Sequence, residues 1–219
     1  YEAPGFPLLA KFLFTSAKLS VQVHPDDEFA RAREGGCGKT EMWYVLRAEP
    51  GAAVALGLID TLTPDELRAA ALSGEIEHRL NWTPVRAGDA VLVPAGTLHT
   101  IGPGLALCEI QQHSDLTYRF YDFGRGRELH IERAVAAVRL APHPGPLQPD
   151  GNTLVACEHF VVERRRAFSP LSRSHLLLFL EGRGTLASEP YGPGDVFFCG
   201  GDAVWQPAEG TLVLRAWTP

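Results

Sequence analysis

The stretch Gly88-Asp89-Ala90-Val91-Leu92-Val93-Pro94-Ala95-Gly96-Thr97-Leu98-His99 constrains the fold of this chain more than any other. Its apolar run is too short for a helix and lies between Gly88 on one side and Pro94 and Gly96 on the other, residues that permit tight bends and stop regular pairing. It reads as a short strand between two corners, with His99 opening the next strand. A weak second copy, Gly194-Asp195-Val196-Phe197-Phe198-Cys199, also stands before a Gly-containing turn, but no histidine follows that turn.

Short strands joined by turns recur along the chain. Apolar or alternating runs at 8–15, 19–24, 39–46, 52–59, 105–112, 158–163, 175–180, 184–187, 195–199 and 211–217 are bounded by Gly and Pro, a spacing that predicts β-barrels or sandwiches. Helical signals are few. Thr63-Pro64-Asp65-Glu66 is a helix start with a cap at Thr63, Pro at the first position and Glu66 three residues after the cap, followed by Leu67, Ala70 and Ala71 up to Gly74. This predicts a small helical insertion over about residues 60–80, with shorter helices at 29–34 and 131–140. Residues 141–151, rich in Pro and Gly, read as a linker between a domain at 1–140 and a smaller β domain at 152–219.

Composition removes several function classes. With 219 residues and 45% hydrophobic side chains the chain can bury a core unaided. Its 20 basic residues against 26 acidic ones leave no basic surplus for nucleic acid, and the short Arg164–Arg166 run reads as a solvated turn or strand end. No apolar run reaches the roughly 18 residues needed to span a bilayer. No signal peptide opens the sequence, which starts at Tyr1 without a Met. The four cysteines form no C-x-x-C pair, so they read as reduced, mostly buried thiols of a cytoplasmic protein.

Chemistry concentrates in Leu19-Ser-Val-Gln-Val-His-Pro-Asp-Asp27. Alternation puts Val21 and Val23 on one face of a strand and Ser20, Gln22 and His24 on the other. Pro25 ends the pairing, and Asp26 and Asp27 suit a helix cap better than a direct metal role. On a later strand Lys39, Glu41 and Trp43 share a face, and a charged pair pointing inward needs partners. Gln22, His24, Glu41 and His99 together make a mixed nitrogen and oxygen set that suits a divalent metal, zinc above all, with room left for water or substrate. Taken singly, a histidine in an apolar strand is more often a satisfied core or surface residue. Glu109 and Gln111 share a parity with His113, Asp115, Arg119 and Tyr121 unless a bulge intervenes.

Gly88-x5-Pro94-x-Gly96-x2-His99 matches the second cupin motif. The Leu19–Asp27 stretch, Gly38-Lys-Thr-Glu-Met-Trp-Tyr44 and Glu109-Ile-Gln-Gln-His-Ser-Asp-Leu-Thr-Tyr-Arg-Phe-Tyr-Asp122 resemble type I mannose-6-phosphate isomerases, in the same order and over roughly residues 6–140. The resemblance implies a mainly β bicupin: two cupin-type barrel or jelly-roll units with a small helical insertion, and a metal site in the first unit alone. It implies one zinc ion per chain held by Gln22, His24, Glu41 and His99, with Lys39, Asp115 and Arg119 at active-site positions. The substrate would be a small sugar phosphate, mannose 6-phosphate, exchanged with fructose 6-phosphate through an enediol. Neither nucleic acid nor membrane is an expected partner, and the oligomeric state is left open.

Several roles stay open on the residues themselves. Lys39 can carry the proton if burial lowers its pKa, with Asp115 or Glu109 as substitutes. Arg119 can stabilise an oxyanion, hold a phosphate, or pair with Asp122. Glu109 and Gln111 are equally candidates to support the metal ligands from behind, and Ser20 is a candidate phosphate contact. Another metal-cupin sugar-phosphate isomerase, a dioxygenase, and a non-catalytic sugar-binding cupin are the alternatives. Gln22 argues against the dioxygenase, and the retention of Lys39 and Arg119 against a mere binding module.

Overall fold

The structure is a computed structural model and describes residues 1–2, 5–140, 143–167, 174–200 and 204–219. It divides into two compact units, Ala10–Leu147 and Tyr1–Leu9 with Gln148–Pro219. Of the stretch read as a linker, residues 141 and 142 lie outside the described residues, while Leu147 donates its N–H to Ala90 O (2.7 Å) and so belongs with the first unit.

The first unit is built on two sheets. One has the order β1-β8-β3-β6, from β1 (Leu8–Thr15), β3 (Glu41–Ala48), β6 (Ala90–Val93) and β8 (Leu105–Gln112). The other has the order β5-β4-β7-β2-β9, from β2 (Val21–Val23), β4 (Ala53–Leu58), β5 (Leu80–Pro84), β7 (His99–Ile101) and β9 (Tyr118–Tyr121). Trp43, Val45 and Leu107 from the first sheet cluster with Val54, Leu56 and Ile101 from the second, all at most 2% exposed. The helices α2 (Pro64–Ser73), α3 (Ile76–Arg79) and α4 (Ile131–Ala137) cover the opposite face of the second sheet, where Val21, Val23, Ala55 and Phe120 pack with Leu67, Ile76 and Ala134. The alternation of β2 is thereby explained: its valines meet helices, and Gln22 faces the other sheet.

Local chemistry sets the boundaries. Asp26 accepts the N–H of Phe29 and caps α1 (Asp27–Arg33), so this helix starts ahead of the predicted Phe29. Thr63 and Glu66 form the expected reciprocal capping box, and Gly74 ends α2 in the left-handed region at φ 83°. The predicted helix over 131–140 stops at Ala137, because Val138 turns extended and the N–H of Arg139 bonds outside the helix, to Gly96 O. The strand expected at 39–46 runs instead from Glu41 to Ala48.

The second unit holds β10 (Thr153–Ala156), β11 (Val161–Arg165), β12 (His175–Glu181), β13 (Gly184–Leu186), β14 (Glu189–Tyr191), β15 (Val196–Cys199), β16 (Trp205–Pro207) and β17 (Leu212–Trp217), in sheets ordered β10-β11-β17-β12-β15 and β14-β13-β16. Aromatic rings occupy its core: Phe179 stacks on Tyr191 at 3.7 Å, and Trp205 donates to the Tyr191 hydroxyl (3.0 Å). The weak repeat is a repeat of geometry as well. Gly88 and Gly194 both sit at φ 92°. The first donates to Val45 O and the second to Phe179 O, both at 2.8 Å. Asp89 Oδ2 accepts from Arg86 N (2.9 Å) as Asp195 Oδ2 does from Gly192 N (2.7 Å). The strands that follow pair alike, β6 with β3 and β15 with β12.

Candidate metal centre

Register carries the candidate residues to one place. Gln22 on β2 lies opposite His99 on β7 and opposite Arg119 on β9, so these three form a row across the second sheet. From the first sheet, Glu41 and Trp43 on β3 stand opposite Gln111 and Glu109 on β8. His24 follows β2 directly. Its Nε2 lies 3.3 Å from Glu41 Oε2, and His99 Nε2 lies 3.4 Å from Glu41 Oε1. The donor atoms of His24, Glu41 and His99 all fall within 4.8 Å of one another, and none of the three residues is more than 1% exposed.

Both imidazoles have their outer nitrogen engaged by backbone. His24 Nδ1 donates to Leu116 O (2.9 Å) and His99 Nδ1 to Thr97 O (2.8 Å). This fixes the tautomer with the lone pair of each Nε2 turned inward, the state a metal ligand requires. Burial lowers the pKa of both rings, that of His99 to about 3, so both are neutral near pH 7. Glu41 is driven the other way: burial favours its protonated form, but Lys39, with Nζ 3.1 Å away, and the two histidines hold it well below the usual carboxylate range. Trp43 Nε1 donates to Glu41 Oε1 (3.1 Å).

Two inward atoms, His24 Nε2 and Glu41 Oε2, have no hydrogen-bond partner among the described residues. They approach each other, and Lys39 approaches Oε2, at ion-pair distance without hydrogen-bond alignment. Buried polar atoms left so are costly. Two neutral imidazoles and an ionised carboxylate, with His24 Nε2 and Glu41 Oε2 left without a hydrogen bond, fit a divalent cation by donor chemistry. Gln22 presents its amide Nε2 to His99 Nε2 at 3.3 Å. Service as a fourth ligand needs the amide turned so that its oxygen faces the cluster, a turn that exchanges two nearly isosteric groups.

The remaining candidates divide. Lys39 and Glu109 are buried at 5% exposure. The pKa of Lys39 is not lowered, as a role as a neutral base would need: burial pulls it down, but the carboxylates of Glu41 and Glu109 outweigh that and raise it. Burial and the charge of Glu41 push Glu109 up to about 7, against Lys39 and Lys11. The parity from Glu109 to Arg119 is interrupted, because residues 113–117 leave the strand and pass irregularly to the other sheet, from which Arg119 enters the site. Asp115 is exposed on that connection, with its charge still felt by Lys39. Asp122 is no partner of Arg119: its carboxylate takes Arg125 (2.8 Å) and Arg127 (2.8 Å). Arg119 donates from Nη1 to Glu128 O (2.8 Å), and its buried Nε has no partner among the described residues. Gln111 gives its amide hydrogens to Gln112 O and Ser114 O and accepts from Lys11, so it braces the connection. Ser20 is buried at 6%.

Sequence reasoning missed Lys11, 3.5 Å from Glu109. A lone Lys inside the apolar run Leu8–Thr15 is the signal that marks it. It also missed Gln112, whose side chain accepts from Thr40 N (2.8 Å) and donates to Asp27 (3.1 Å), tying the residues before Glu41 to those after His24. Nothing in its sequence context distinguishes Gln112 from its neighbour.

No family model matches the chain. It is 48% identical over 136 residues to mannose-6-phosphate isomerase of Streptococcus mutans, a match covering 59% of this chain and 43% of that protein. It is 34% identical over 215 residues to mannose-6-phosphate isomerase ManA of Bacillus subtilis, covering 87% and 66%. The chain thus spans between 43% and 66% of the length of these curated relatives. A solved zinc-bound mannose 6-phosphate isomerase shares the fold at a TM-score of 0.68 and 17% identity, covering 97% of this chain and 79% of that one. The solved mannose 6-phosphate isomerase of Bacillus subtilis superposes at a TM-score of 0.84 with 30% identity, covering 99% of this chain and 77% of that one. Likeness of that extent in sequence and in fold together means that this chain belongs to the type I mannose-6-phosphate isomerase family, of cupin fold.

Proposed function

We propose that the chain carries the active site of a zinc-dependent aldose-ketose isomerase that interconverts mannose 6-phosphate and fructose 6-phosphate. The observation that carries this reading is the buried His24, Glu41 and His99 triad, whose Nε2 and carboxylate atoms converge within 4.8 Å while backbone carbonyls hold the outer histidine nitrogens. In this reading one zinc ion is held by His24, Glu41 and His99, with Gln22 as fourth ligand. When bound it supplies Lewis-acid stabilisation of the oxyanion that develops beside the reacting carbons.

The other residues divide the remaining work. Glu109, with a pKa near neutrality, and the protonated Lys39 are the pair suited to take and return the proton that moves between neighbouring carbons. Asp115, on the connection between the sheets, adds to the field on Lys39 without burial of its own. Arg119 offers its guanidinium, whose Nε has no partner among the described residues, to an anionic group of the substrate, enediolate or phosphate. Ser20 is held in reserve as a phosphate contact. The metal chemistry belongs to the first unit alone, and the second is a repeat of the same cupin-type unit filled with aromatic side chains; the shared Gly-Asp turns at Gly88 and Gly194 support this. The reading places the enzyme in the cytoplasm.

A coupled assay converting mannose 6-phosphate to fructose 6-phosphate, with metal analysis of the same sample, tests the proposal. Turnover with about one zinc per chain is expected. His99→Ala should lose metal and turnover together, and Arg119→Ala should keep metal while kcat falls at least a hundredfold, as for loss of an oxyanion donor. A zinc-loaded chain without turnover on any hexose 6-phosphate would sink the reading.

A further inference from the structure

The segment from Glu128 to Arg139 grips the site at both ends. At its start Glu128 O accepts from Arg119 Nη1 (2.8 Å), His130 donates its N–H to Arg119 O (2.7 Å), and the His130 ring accepts the N–H of Arg119 (3.1 Å). α4 then covers about 10 Å. It is fixed to the body of the unit: Ala134 is buried in the cluster that holds Val21 and Val23, and Glu132 takes a forked bond from Arg68 on α2 (2.9 and 3.0 Å).

At the far end Arg139 reaches the segment after His24 and the turn that leads into His99. Its N–H donates to Gly96 O (2.8 Å), and Gly96 in turn donates to His24 O (2.7 Å). Its guanidinium Nη2 donates to Asp26 Oδ2 (2.5 Å), while Asp26 Oδ1 caps α1. Its stem lies against Gly96, where an added Cβ would stand 2.6 Å from Arg139 Cγ. Asp26 follows His24 by two residues, and Gly96 precedes His99 by three. His24 lies past the end of β2, and His99, though paired with Gln22 and Leu56, is entered from a turn, so sheet pairing fixes neither His24 nor the backbone that leads into His99.

We propose that Arg139 is a positioning residue, which through Asp26 and Gly96 holds the two imidazoles at metal-binding separation and, along α4, ties that separation to the placement of Arg119. This rests on the metal reading above. A ligand loop displaced by about 1 Å loses most of its value to a cation. The Arg139 guanidinium is 63% exposed and Asp26 35%, so the bond contributes little to global stability. Its effect is on geometry.

Arg139→Met keeps the stem and the backbone bonds but removes the guanidinium. Asp26→Asn keeps a helix cap and removes the charge. Both are made in the full chain, singly and together. The readouts are zinc affinity by chelator competition, the absorption spectrum of the cobalt(II) form, and urea unfolding of the metal-free protein. Each single variant should bind zinc about tenfold more weakly, the low end for residues behind a ligand, with an altered cobalt spectrum and an unchanged metal-free unfolding midpoint. The double variant should be no weaker than the weaker single one, and Arg139→Lys should recover part of the affinity. Wild-type affinity and spectrum in both single variants would overturn the proposal. So would losses that multiply in the double variant, or a fall in metal-free stability that accounts for the affinity loss. The wild-type titration comes first: a parent chain that takes up no zinc overturns the metal reading itself and this proposal with it, whereas zinc uptake by parent and variants alike overturns this proposal alone.

Discussion

At the scale of single residues, the site works by setting neighbouring charges against burial. Glu41, Lys39 and Glu109 are all buried, yet Glu41 is held ionised and Glu109 is pushed up to about 7. Glu109 has its proton more firmly in the folded chain than in the unfolded one, where it titrates near 4.5. Its protonation therefore adds stability that is present below pH 4.5 and lost as pH rises through about 7. Glu109→Gln lacks this loss. Measured by urea unfolding of the metal-free chain, the variant should gain on wild type between pH 5 and 8, by up to about 3 kcal/mol. His99, lowered to about 3, acts in the opposite sense and costs stability as pH falls below 6.5 in both proteins, so the comparison isolates Glu109. A constant difference across that range would show Glu109 to be ionised throughout.

At the scale of elements, the strands and caps bring the chemistry to one place, and one glycine shows how tightly. Gly38 precedes Lys39 and has an ordinary negative φ, so its requirement is for space: an added Cβ would stand 2.5 Å from the backbone of Asp26 and Asp27. Those atoms belong to the start of α1 and cannot swing aside as a side-chain end can. Gly38→Ala should cost about 1–3 kcal/mol by urea unfolding. Gly36→Ala, where the nearest atom is a Leu116 methyl at 3.9 Å, should stay within about 0.5 kcal/mol. Equal effects at the two positions would contradict the close approach. Much of this level was legible beforehand. The Thr63 cap, the strand at 90–93 and the turn at Pro94 and Gly96 follow from side chains acting on their own backbone. The early end of α4 did not, because the bond that turns Arg139 away is made to Gly96, 43 residues back in sequence.

At the scale of the molecule, two units that share a Gly-Asp turn and the pairing of the strand after it differ in what fills them. The first encloses His24, Glu41 and His99, and the second encloses Phe179, Tyr191 and Trp205. Zinc at a hundredfold excess over its dissociation constant should add about 2.7 kcal/mol to a unit that binds it only when folded. Hydrogen exchange with and without zinc should then show slower exchange within Ala10–Leu147 and no change within Gln148–Pro219. Equal protection in both would argue against a metal site confined to the first unit. The sequence by itself determined the strand-rich class and the cap and corner chemistry, and it singled out His24, Glu41 and His99, which the fold brings together, because period-two alternation and glycine or proline corners act locally. Only the tertiary structure decided that Arg119 enters from the opposite sheet, that Asp122 belongs to Arg125 and Arg127, that Lys39 stays charged, and that Lys11, Gln112 and Arg139 stand around the site. Each of those outcomes depends on distances and burial between segments far apart in the chain, and local pattern carries no information about them.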